Sequence, residues 1–518
     1  MKTKHVLIML AFLLPASCTK SNLFYPDRNP DEGLEHEMIV LGKQLEDPYT
    51  VANMSKAFES VYGTKADRGQ ITTTDFYVRF LPRDEAQMDE LLSMGLQLID
   101  HPVDYEILRE GDYYHDPQLG EEDITWQYAV VSKGFVFPSG IKYEILDECF
   151  LPENSSTKAE YVDWDSVERE AFRLTGNSGM LRDGTKADTG RPSGRVTIED
   201  DSSGKIVGVK GVKVSCNVFV KIASSFTDEE GYYEMNMSFS SEPRYRLVFK
   251  NRKGFCIGFN LVLVPASVST LGKGGVNGMD VHVDGNSDRK LYTRCVVNNA
   301  GYEYYCSCNN EGIVMKTPPS NLRIWLFQRL SISSAVMLHQ GALIDNSVVA
   351  KYLGEYSFLV KMFLPDITVG LRDMDSFSDI YSEAVHQFAH ASHFMQAGKD
   401  YWDKYIYNVL LSFVTSGFVT FGSGTEDNHG YIEVAEMWAY YMQNRLHEDR
   451  FGGNPDFGSS YWFSPQILMV LDNKGMDRFK IFSALGSDIT DRDLFQAKLV
   501  SLYPESRSMI NQAFGRYN

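Results

Sequence analysis

The residues with the clearest chemical potential lie at positions 386–390, which read His-Gln-Phe-Ala-His. On a helix, His386 and His390 would lie one turn apart on one face, where both imidazoles could hold one metal ion at about 2.0–2.1 Å. In the zinc motif His-Glu-x-x-His, the glutamate takes a proton from the metal-bound water. The amide of Gln387 stands at that position and cannot accept the proton at neutral pH. The motif therefore predicts a metal site that lacks its general base.

A catalytic zinc site needs three protein ligands and one open position, and the sequence offers candidates for the third ligand about 40 residues further along the chain. Residues 431–438 read Tyr-Ile-Glu-Val-Ala-Glu-Met-Trp and place Glu433 and Glu436 on one face of a second helix. The spacing alone leaves either glutamate within reach of the ion. His393 follows His390 by three residues on the same side and could hydrogen-bond to the ligands.

Two runs around these residues read Val385-His-Gln-Phe-Ala-His-Ala-Ser-His-Phe394 and Val434-Ala-Glu-Met-Trp-Ala439. They resemble a family of zinc-metallopeptidase lipoproteins from the Bacteroidetes, with a gluzincin-like catalytic domain, and the resemblance extends over most of the chain. It implies that His386, His390 and Glu436 are the zinc ligands and that Glu433 lies beside them. The chain departs from the family at Gln387, where the family has its general base.

Two other residues are candidates for the missing base. Glu383 precedes His386 by one helical turn, but its position better suits orienting a ligand histidine or capping the helix start. His429 lies in the glycine-rich stretch 422–430, which has the composition of a connecting loop. General-base assistance is worth a factor of about 10²–10⁴ in rate. An enzyme with glutamine at this position would keep the Lewis-acid contribution of zinc and lose that factor.

Three functional interpretations follow. In the first, a degenerate metallopeptidase-like domain binds zinc and a peptide or protein with little or no hydrolysis. In the second, the chain is a non-enzymatic surface lipoprotein that holds no metal and uses its other domains for binding. In the third, it is an active peptidase with another general base. The sequence indicates neither a substrate nor an oligomeric state.

The overall charge limits the kinds of partner that the protein is expected to bind. The formal net charge is −19 over 518 residues, and an acidic chain of this kind is not expected to bind nucleic acid. The 29 tyrosines and 31 phenylalanines supply enough apolar volume for packed cores. A chain of this length suggests about three domains.

The first 18 residues have the pattern of a bacterial lipoprotein signal. Lys2 and Lys4 precede a short apolar run, Val6–Leu14, which is followed by Pro-Ala-Ser and then Cys18. We expect Cys18 to be lipidated and residues 19–33 to form a polar tether. The alternative is an ordinary secretory signal in which the cysteine has no role. The lipoprotein interpretation places the protein in the cell envelope, anchored to the outer membrane and facing the periplasm or the surface.

Composition changes along the remaining chain and predicts an α+β multidomain fold. Residues 34–185 are expected to form a small α+β domain. A strand is predicted at Asp75–Leu81, then a helix capped by Asp84 and ended by Gly95, then a second strand at Leu96–Ile99.

Residues 186–285 contain short strand-like runs separated by turns, a pattern typical of a β-sandwich. The runs are Val196–Ile198, Val212–Val214, Val218–Val220 and Tyr245–Phe249, with turns at Asp201–Gly204 and Asp228–Gly231. Three segments carry a more specific likeness: Gly194–Ile198, Val209–Val214 and Thr227–Tyr233. They resemble the carboxypeptidase regulatory-like domain, a transthyretin-like sandwich, which implies a structural or adhesive module.

Residues 286–518 are expected to form the metallopeptidase-like domain, with mainly helical structure. The predicted elements are a helix after Pro318-Pro319 that carries Leu322, Trp325 and Leu330, an edge strand within Phe358–Val369 that Pro365 interrupts, helices at 378–397, 402–414 and 431–447, and a helical tail at 465–514. Cys306 and Cys308 could be metal ligands, but Cys-x-Cys between aromatic residues favours opposite faces of a strand. The even number of cysteines after Cys18 permits disulfides.

Overall fold

A computed structural model gives the architecture of most of the chain. The described residues are 38–63, 71–120, 123–155, 162–181, 189–258, 266–310, 313–331, 333–342, 365–415 and 421–517. The predicted signal peptide, the tether and Cys18 lie outside these ranges. Among the described residues, no helix combines the length and the apolar character that crossing a bilayer requires.

In the first part of the chain, the described residues build two small sheets and three α-helices. The strands are β1 (Val40–Gln44), β2 (Asp75–Leu81), β3 (Tyr105–Arg109), β4 (Gln127–Ser132) and β5 (Lys142–Cys149), and the helices are α1 (Val51–Tyr62), α2 (Glu85–Ser93) and α3 (Trp164–Leu174). One antiparallel sheet has the order β4-β2-β5, and β1 pairs with β3 in the other. The mixed α+β character predicted for this part is confirmed.

The predicted start and end of α2 are both confirmed. Asp84 accepts a hydrogen bond from the Gln87 backbone N–H at 3.0 Å, which satisfies one of the free donors at the helix start. Gly95 follows the helix with a φ of +75°, a conformation that favours glycine.

The second strand predicted in this part, Leu96–Ile99, is wrong. Of these residues only Ile99 pairs with another chain segment, in an isolated bridge to Tyr128. Leu96 and Leu98 pack against a small apolar cluster beneath β2 and β4. Their alternation therefore reflects side-chain burial against the sheet without membership of it.

The central part of the chain contributes two sheets. Its strands are β6 (Ser193–Asp200), β7 (Lys205–Gly208), β8 (Val212–Val218), β9 (Lys221–Phe226), β10 (Tyr232–Glu234), β11 (Arg244–Asn251), β12 (Cys256–Gly258), β13 (Val268–Lys273) and β14 (Val281–Val283). Strands β10, β6 and β14 pair in that order, with β7 also on β6. Strands β12, β11, β8 and β9 belong to a larger sheet, with β13 also on β11.

Most of the predicted strand segments of this part are confirmed. Val196–Ile198 lies in β6, Val212–Val214 in β8 and Tyr245–Phe249 in β11, and the two predicted turns are present. The strand predicted at Val218–Val220 is wrong, because it spans the hairpin between β8 and β9. Phe219 takes a φ of +48° at that hairpin, so an apolar turn was mistaken for a strand.

The larger sheet continues into the last part of the chain. Among the described residues it has eight strands, with β17 (Arg323–Phe327), β19 (Ile367–Gly370) and β18 (Ser334–Ala335) following β12 in that order. Strands β12, β17 and β19 run parallel to one another. Strands from both sides of the boundary predicted at residue 285 therefore belong to one sheet.

Two predictions for this region are wrong. The segment after Pro318-Pro319 is strand β17, not a helix, because a strand buried on both faces has a continuous apolar sequence that mimics a buried helix. Strand β19 begins two residues after Pro365 and pairs with both β17 and β18, so it is not an edge strand. The remainder of the predicted run, residues 358–364, lies outside the described residues.

Helices dominate the rest of the chain. They are α4 (Arg289–Ser307), α5 (Phe377–Ala397), α6 (Lys399–Thr415), α7 (Gly430–Phe451), α8 (Gln466–Asn473), α9 (Arg478–Ser483), α10 (Arg492–Leu502) and α11 (Arg507–Gly515), and a two-stranded hairpin of β15 (Asn309–Asn310) and β16 (Ile313–Val314) follows α4. The helices predicted at 378–397, 402–414 and 431–447 and the helical tail are confirmed. Helix α4 was not predicted from the sequence.

The cysteines differ from expectation. Cys306 lies in the last turn of α4 and Cys308 caps its end, so the predicted strand geometry of this pair is wrong. All six cysteines of the described residues are free thiols.

Candidate metal centre

Helix α5 carries the histidine motif and begins at a well-formed capping box. The Ser376 hydroxyl accepts from the Asp379 N–H at 3.1 Å, and the Asp379 carboxylate accepts from the Ser376 N–H at 3.3 Å. The helix ends at Gly398, whose φ is +86°. Helices α4 and α7 pack along α5, so its middle turns lie in the interior. The motif is therefore held on a rigid, buried element.

The structure brings the three predicted ligands together. The two Nε2 atoms of His386 and His390 are 2.9 Å apart. Each lies 3.4 Å from an oxygen of Glu436, which comes from α7. All three side chains are completely buried. Ligand atoms at 2.0–2.1 Å from a tetrahedral zinc ion are about 3.3 Å apart, so the triangle has the size that one such ion fills.

The hydrogen bonds around the triangle leave lone pairs on its inward-facing atoms available to a metal ion. Nδ1 of His386 lies 3.1 Å from Oε1 of Gln443, and since that oxygen only accepts, Nδ1 carries the proton and Nε2 keeps its lone pair. The Tyr405 hydroxyl donates to Oε1 of Glu436 at 2.7 Å and orients the carboxylate. Oε2 of Glu436 is buried and has no hydrogen-bond partner among the described residues. A cation at the centre would satisfy these inward-facing lone pairs.

The charges at the centre suit a divalent cation. Burial tends to raise the pKa of Glu436, but His390 and His386 outweigh it and lower that pKa to about 2. Burial lowers the pKa of His390, with a smaller contribution from His386, although Glu436 opposes the shift. An ionised carboxylate beside a neutral imidazole is the protonation state that metal binding requires. The residues present therefore fit a metal ion.

Gln387 is anchored to Glu383, one turn earlier on α5. Its Nε2 donates to Oε1 of Glu383 at 3.1 Å, and both side chains are buried. The cap of α5 is Ser376, so the capping role considered for Glu383 is wrong. The position that carries the general base in His-Glu-x-x-His is here one half of a buried amide–carboxylate pair.

Glu433 is held away from the centre by α10. Its Oε1 lies 2.7 Å from Nε of Arg492, and its Oε2 accepts from the Arg492 backbone N–H at 3.2 Å. Burial raises the pKa of Glu433, and Arg492 opposes that effect. Of the two glutamates that the spacing left open, the structure places Glu436 among the histidines.

The other two candidate histidines also lie apart from the ligand triangle. His393 is buried against the rings of Tyr401 and Trp402, and neither of its nitrogens has a hydrogen-bond partner among the described residues. Burial, and to a lesser degree His390, lowers its pKa to about 3. Its predicted hydrogen bond to a ligand is therefore not formed. His429 precedes α7, and its Nδ1 lies 2.8 Å from the Glu426 carbonyl.

Within the described ranges, the group of His386, His390 and Glu436 is the one cluster of histidine, cysteine and acidic side chains with metal-site spacing. Cys306 and Cys308 are not part of it. Sequence analysis missed the two hydrogen-bonding residues of the site, Gln443 and Tyr405. Gln443 follows Glu436 by seven residues, which is two helical turns on the same face, so its position was readable from the sequence. Tyr405 comes from α6, and its contact depends on tertiary packing alone.

Comparison of the chain with protein-family models, with curated proteins and with solved structures finds no match in any of the three.

Proposed function

We propose that the chain is a degenerate metallopeptidase-like protein that binds one zinc ion through His386, His390 and Glu436 and hydrolyses peptides slowly or not at all. The observation that carries the proposal is the buried triangle of two Nε2 atoms and one carboxylate, with Gln387 in the neighbouring position. Two imidazoles and one carboxylate are the ligand set of thermolysin-type zinc sites, which keep a fourth position open. The resemblance to envelope metallopeptidases is consistent with this assignment.

Zinc in such a site supplies a Lewis acid and a water of lowered pKa. The chain's own residues determine how much of that chemistry is used. Gln387 cannot accept a proton, and its amide N–H is already donated to Glu383. Glu433 is engaged by Arg492, and neither Glu433 nor His429 belongs to the ligand cluster. None of these arrangements replaces the general base, so the proposal is binding with little turnover.

The complete burial of the ligands supports a second candidate, a structural metal site. His386 and His390 come from α5 and Glu436 from α7, while Tyr405 of α6 holds the carboxylate. An ion there would link α5 directly to α7, and the Tyr405 hydroxyl would tie α6 to the same carboxylate. In this version the metal contributes to stability and a peptide never reaches it.

Elemental analysis of the purified protein tests the zinc assignment. We expect about one zinc per chain, because three ligands at this spacing complete a site. His386→Ala and Glu436→Gln should lose the metal, while His282→Ala, which removes an exposed histidine of β14, should keep it. Protein that remains free of zinc after incubation with excess metal would exclude both candidates and favour a non-enzymatic binding lipoprotein.

Two further measurements separate the candidates. A small hydroxamate that coordinates accessible zinc should bind the degenerate peptidase site and should not bind a sealed structural site. Removal of the metal by a chelator should lower Tm in both cases. A sealed structural site should release its metal only when the protein unfolds, whereas an open site should release it from the folded protein. Robust zinc-dependent cleavage of a peptide library by the wild type would refute the degenerate interpretation and leave the ligand assignment standing.

A further inference from the structure

A cavity of about 130 Å³ lies between the first part of the chain and the eight-stranded sheet. One wall is the face of β8, β11 and β13, and the other includes α2 and the segment 96–101. None of the metal-centre residues lines it. The cavity is therefore a separate feature from the site described above.

The sheet wall carries three basic side chains on adjacent strands. In β11, Arg246 and Lys250 face the cavity, while the alternate residues of this strand enter the core. Lys213 of β8 joins them, because it pairs with Val248, the residue between the two. Alternation and register together concentrate positive charge on this one face.

The acidic residues of the lining are engaged elsewhere. The Asp100 carboxylate accepts from the Tyr114 backbone N–H at 2.6 Å and lies 2.8 Å from Nδ1 of His101. Asp112 forms ion pairs with Lys290 and Arg294, at 2.9 and 3.3 Å. The carboxylates that could neutralise the basic wall therefore have other cations or donors.

The basic side chains themselves form no ion pair with a carboxylate among the described residues. Arg246, with 6% of its surface exposed, donates to Oδ1 of Asn217 at 2.5 Å and lies 3.4 Å from Nε2 of His101. Among the described residues, neither Lys213 nor Lys250 forms an ion pair with a carboxylate. Burial and Arg244 lower the pKa of Arg246 to about 10 although Asp100 opposes the shift. A bound anion would offset the remaining cost of burying the guanidinium.

The opposite wall is mainly apolar. Its apolar residues are Met88, Leu92, Leu96, Leu98 and Ile99, and Gln97, Asp100 and His101 lie beside them. An apolar cavity of about 150 Å³ accepts a molecule of the size of benzene, so this cavity suits a body of similar dimensions. A ligand that fits both walls has a small apolar body and a single anionic group.

We propose that this cavity binds a small monocarboxylate with an apolar body, of the size of benzoate or hexanoate, whose carboxylate contacts Arg246, Lys213 and Lys250. A guanidinium with free N–H groups binds a carboxylate through charge-assisted hydrogen bonds. Burial, together with Lys250, lowers the pKa of Lys213 to about 8, which is the behaviour of an ammonium group without a counter-ion. A bound carboxylate would restore the charged form.

Isothermal titration calorimetry on the full chain with hexanoate and benzoate tests the proposal. We expect one site per chain, and binding weakened about tenfold when hexanol or benzyl alcohol replaces the acid, because the charge-assisted contacts are lost. Inorganic phosphate measures simple anion binding. Tight binding of phosphate with no response to the carboxylates would overturn the assignment of the ligand class.

Two variants locate the site. Lys213→Met and Lys250→Met should each weaken hexanoate binding about tenfold, while Lys205→Met, a change at an exposed lysine of β7, should have no effect. Far-UV circular dichroism and Tm establish that each variant is folded. If Lys213→Met does not fold, Lys250→Met provides the test. Equal affinity in all three folded variants would refute the proposal.

The alkylation rate of Cys256 provides a second readout that does not depend on the heat of binding, because Cys256 lines the same cavity. Hexanoate should slow its alkylation by iodoacetamide in the wild type and in Lys205→Met, but not in Lys213→Met. Labelling that hexanoate leaves unchanged in the wild type, together with absent binding heat, would remove the site.

Discussion

At the residue scale, the missing general base is more than a single substitution. Gln387 and Glu383 form a buried amide–carboxylate pair at 3.1 Å, so a carboxylate is present one turn before the position where the zinc motif has it. Returning glutamate to position 387 would place two carboxyl groups side by side in the interior. Such pairs do not both ionise, because like charges at this distance repel strongly in a low dielectric.

We therefore predict that Gln387→Glu alone recovers little peptidase activity and that Gln387→Glu/Glu383→Gln recovers more, by about tenfold or more. The double variant exchanges the two groups and keeps their hydrogen bond. The measurement is turnover of a fluorogenic peptide library by zinc-loaded proteins, with Glu383→Gln as the matched control. A single variant as active as the double would show that Glu383 does not restrain position 387.

Asp47 is a second buried carboxyl with an unusual environment. Its Oδ1 accepts from the Tyr49 N–H at 2.8 Å, and its Oδ2 is buried with no partner among the described residues. Burial raises its pKa to about 8, with further contributions from Asp104 and Asp147, although the Tyr49 N–H opposes the shift. The folded protein therefore keeps a proton that the unfolded chain releases near its ordinary pKa of 3.8.

This difference predicts a pH-dependent stability. The contribution of Asp47 to the free energy of unfolding is complete below about pH 4 and is lost as pH rises towards 8. At neutral pH the loss amounts to roughly 2–4 kcal/mol. Asp47→Asn cannot titrate, so its unfolding free energy should fall less than that of the wild type between pH 5 and 8. Urea denaturation at both pH values measures this, with Asp493→Asn, an exposed carboxylate, as the control. Parallel pH profiles for wild type and Asp47→Asn would contradict the shift.

The sequence supported the site at this scale because helical geometry is local. Residues four apart on a helix face the same side whatever surrounds them, so His386 and His390 could be paired without knowledge of the fold. The choice between Glu433 and Glu436 required the neighbour on α10 that binds Glu433. The partners of Gln387 and Glu436 likewise depend on packing between helices.

At the element scale, the long helices were predictable and the buried strands were not. Helix α5 has a capping box, both α5 and α7 end at a glycine, and both are long enough to be distinguished from strands. Strand β17 has five residues, four of them buried, and its apolar sequence carries no period that separates strand from helix. Helix α4 is buried on nearly all sides and therefore shows no polar face to mark it.

The eight-stranded sheet predicts cooperative unfolding across residue 285. Ile324 of β17 is fully buried and pairs with Ile257 of β12. Ile324→Ala should cost about 2–5 kcal/mol through the cavity that it leaves. It should also increase amide hydrogen exchange in β8 and β11, on the other side of the boundary.

The matched control for this prediction is Ile206→Ala, which shortens a side chain that is 66% exposed in β7. We expect it to change stability by less than about 0.5 kcal/mol. Increased exchange confined to the C-terminal helices in Ile324→Ala would show that the two parts unfold independently despite the shared sheet.

At the scale of the whole molecule, the central and last parts of the chain meet at Arg450 of α7. Its guanidinium forms ion pairs with Asp200 of β6 and with Glu303 of α4, and Glu303 also pairs with Lys210. These contacts join segments far apart in sequence. Such long-range contacts cannot be derived from one sequence, so the arrangement of these segments is known from the structure alone.

The attachment of the whole molecule to a membrane remains a prediction, based on the short apolar run that ends at Cys18. Cys18→Ser should move the protein from the membrane fraction to the soluble fraction of fractionated cells, because stable anchoring depends on its acyl chains. Cys306→Ser, which changes a thiol of α4, is the control and should stay membrane-bound. Membrane association that survives Cys18→Ser would remove the lipid-anchor proposal.

The buried free thiols can be used as native probes of local opening in the fold. Cys149 lies in β5, Cys216 in β8 and Cys295 in α4, and all three are inaccessible in the closed structure. Burial raises the pKa of each thiol, so the reactive thiolate forms only when the surrounding structure opens. The rate at which a small alkylating reagent modifies each position therefore measures how often that region of the molecule opens, without any engineered cysteine.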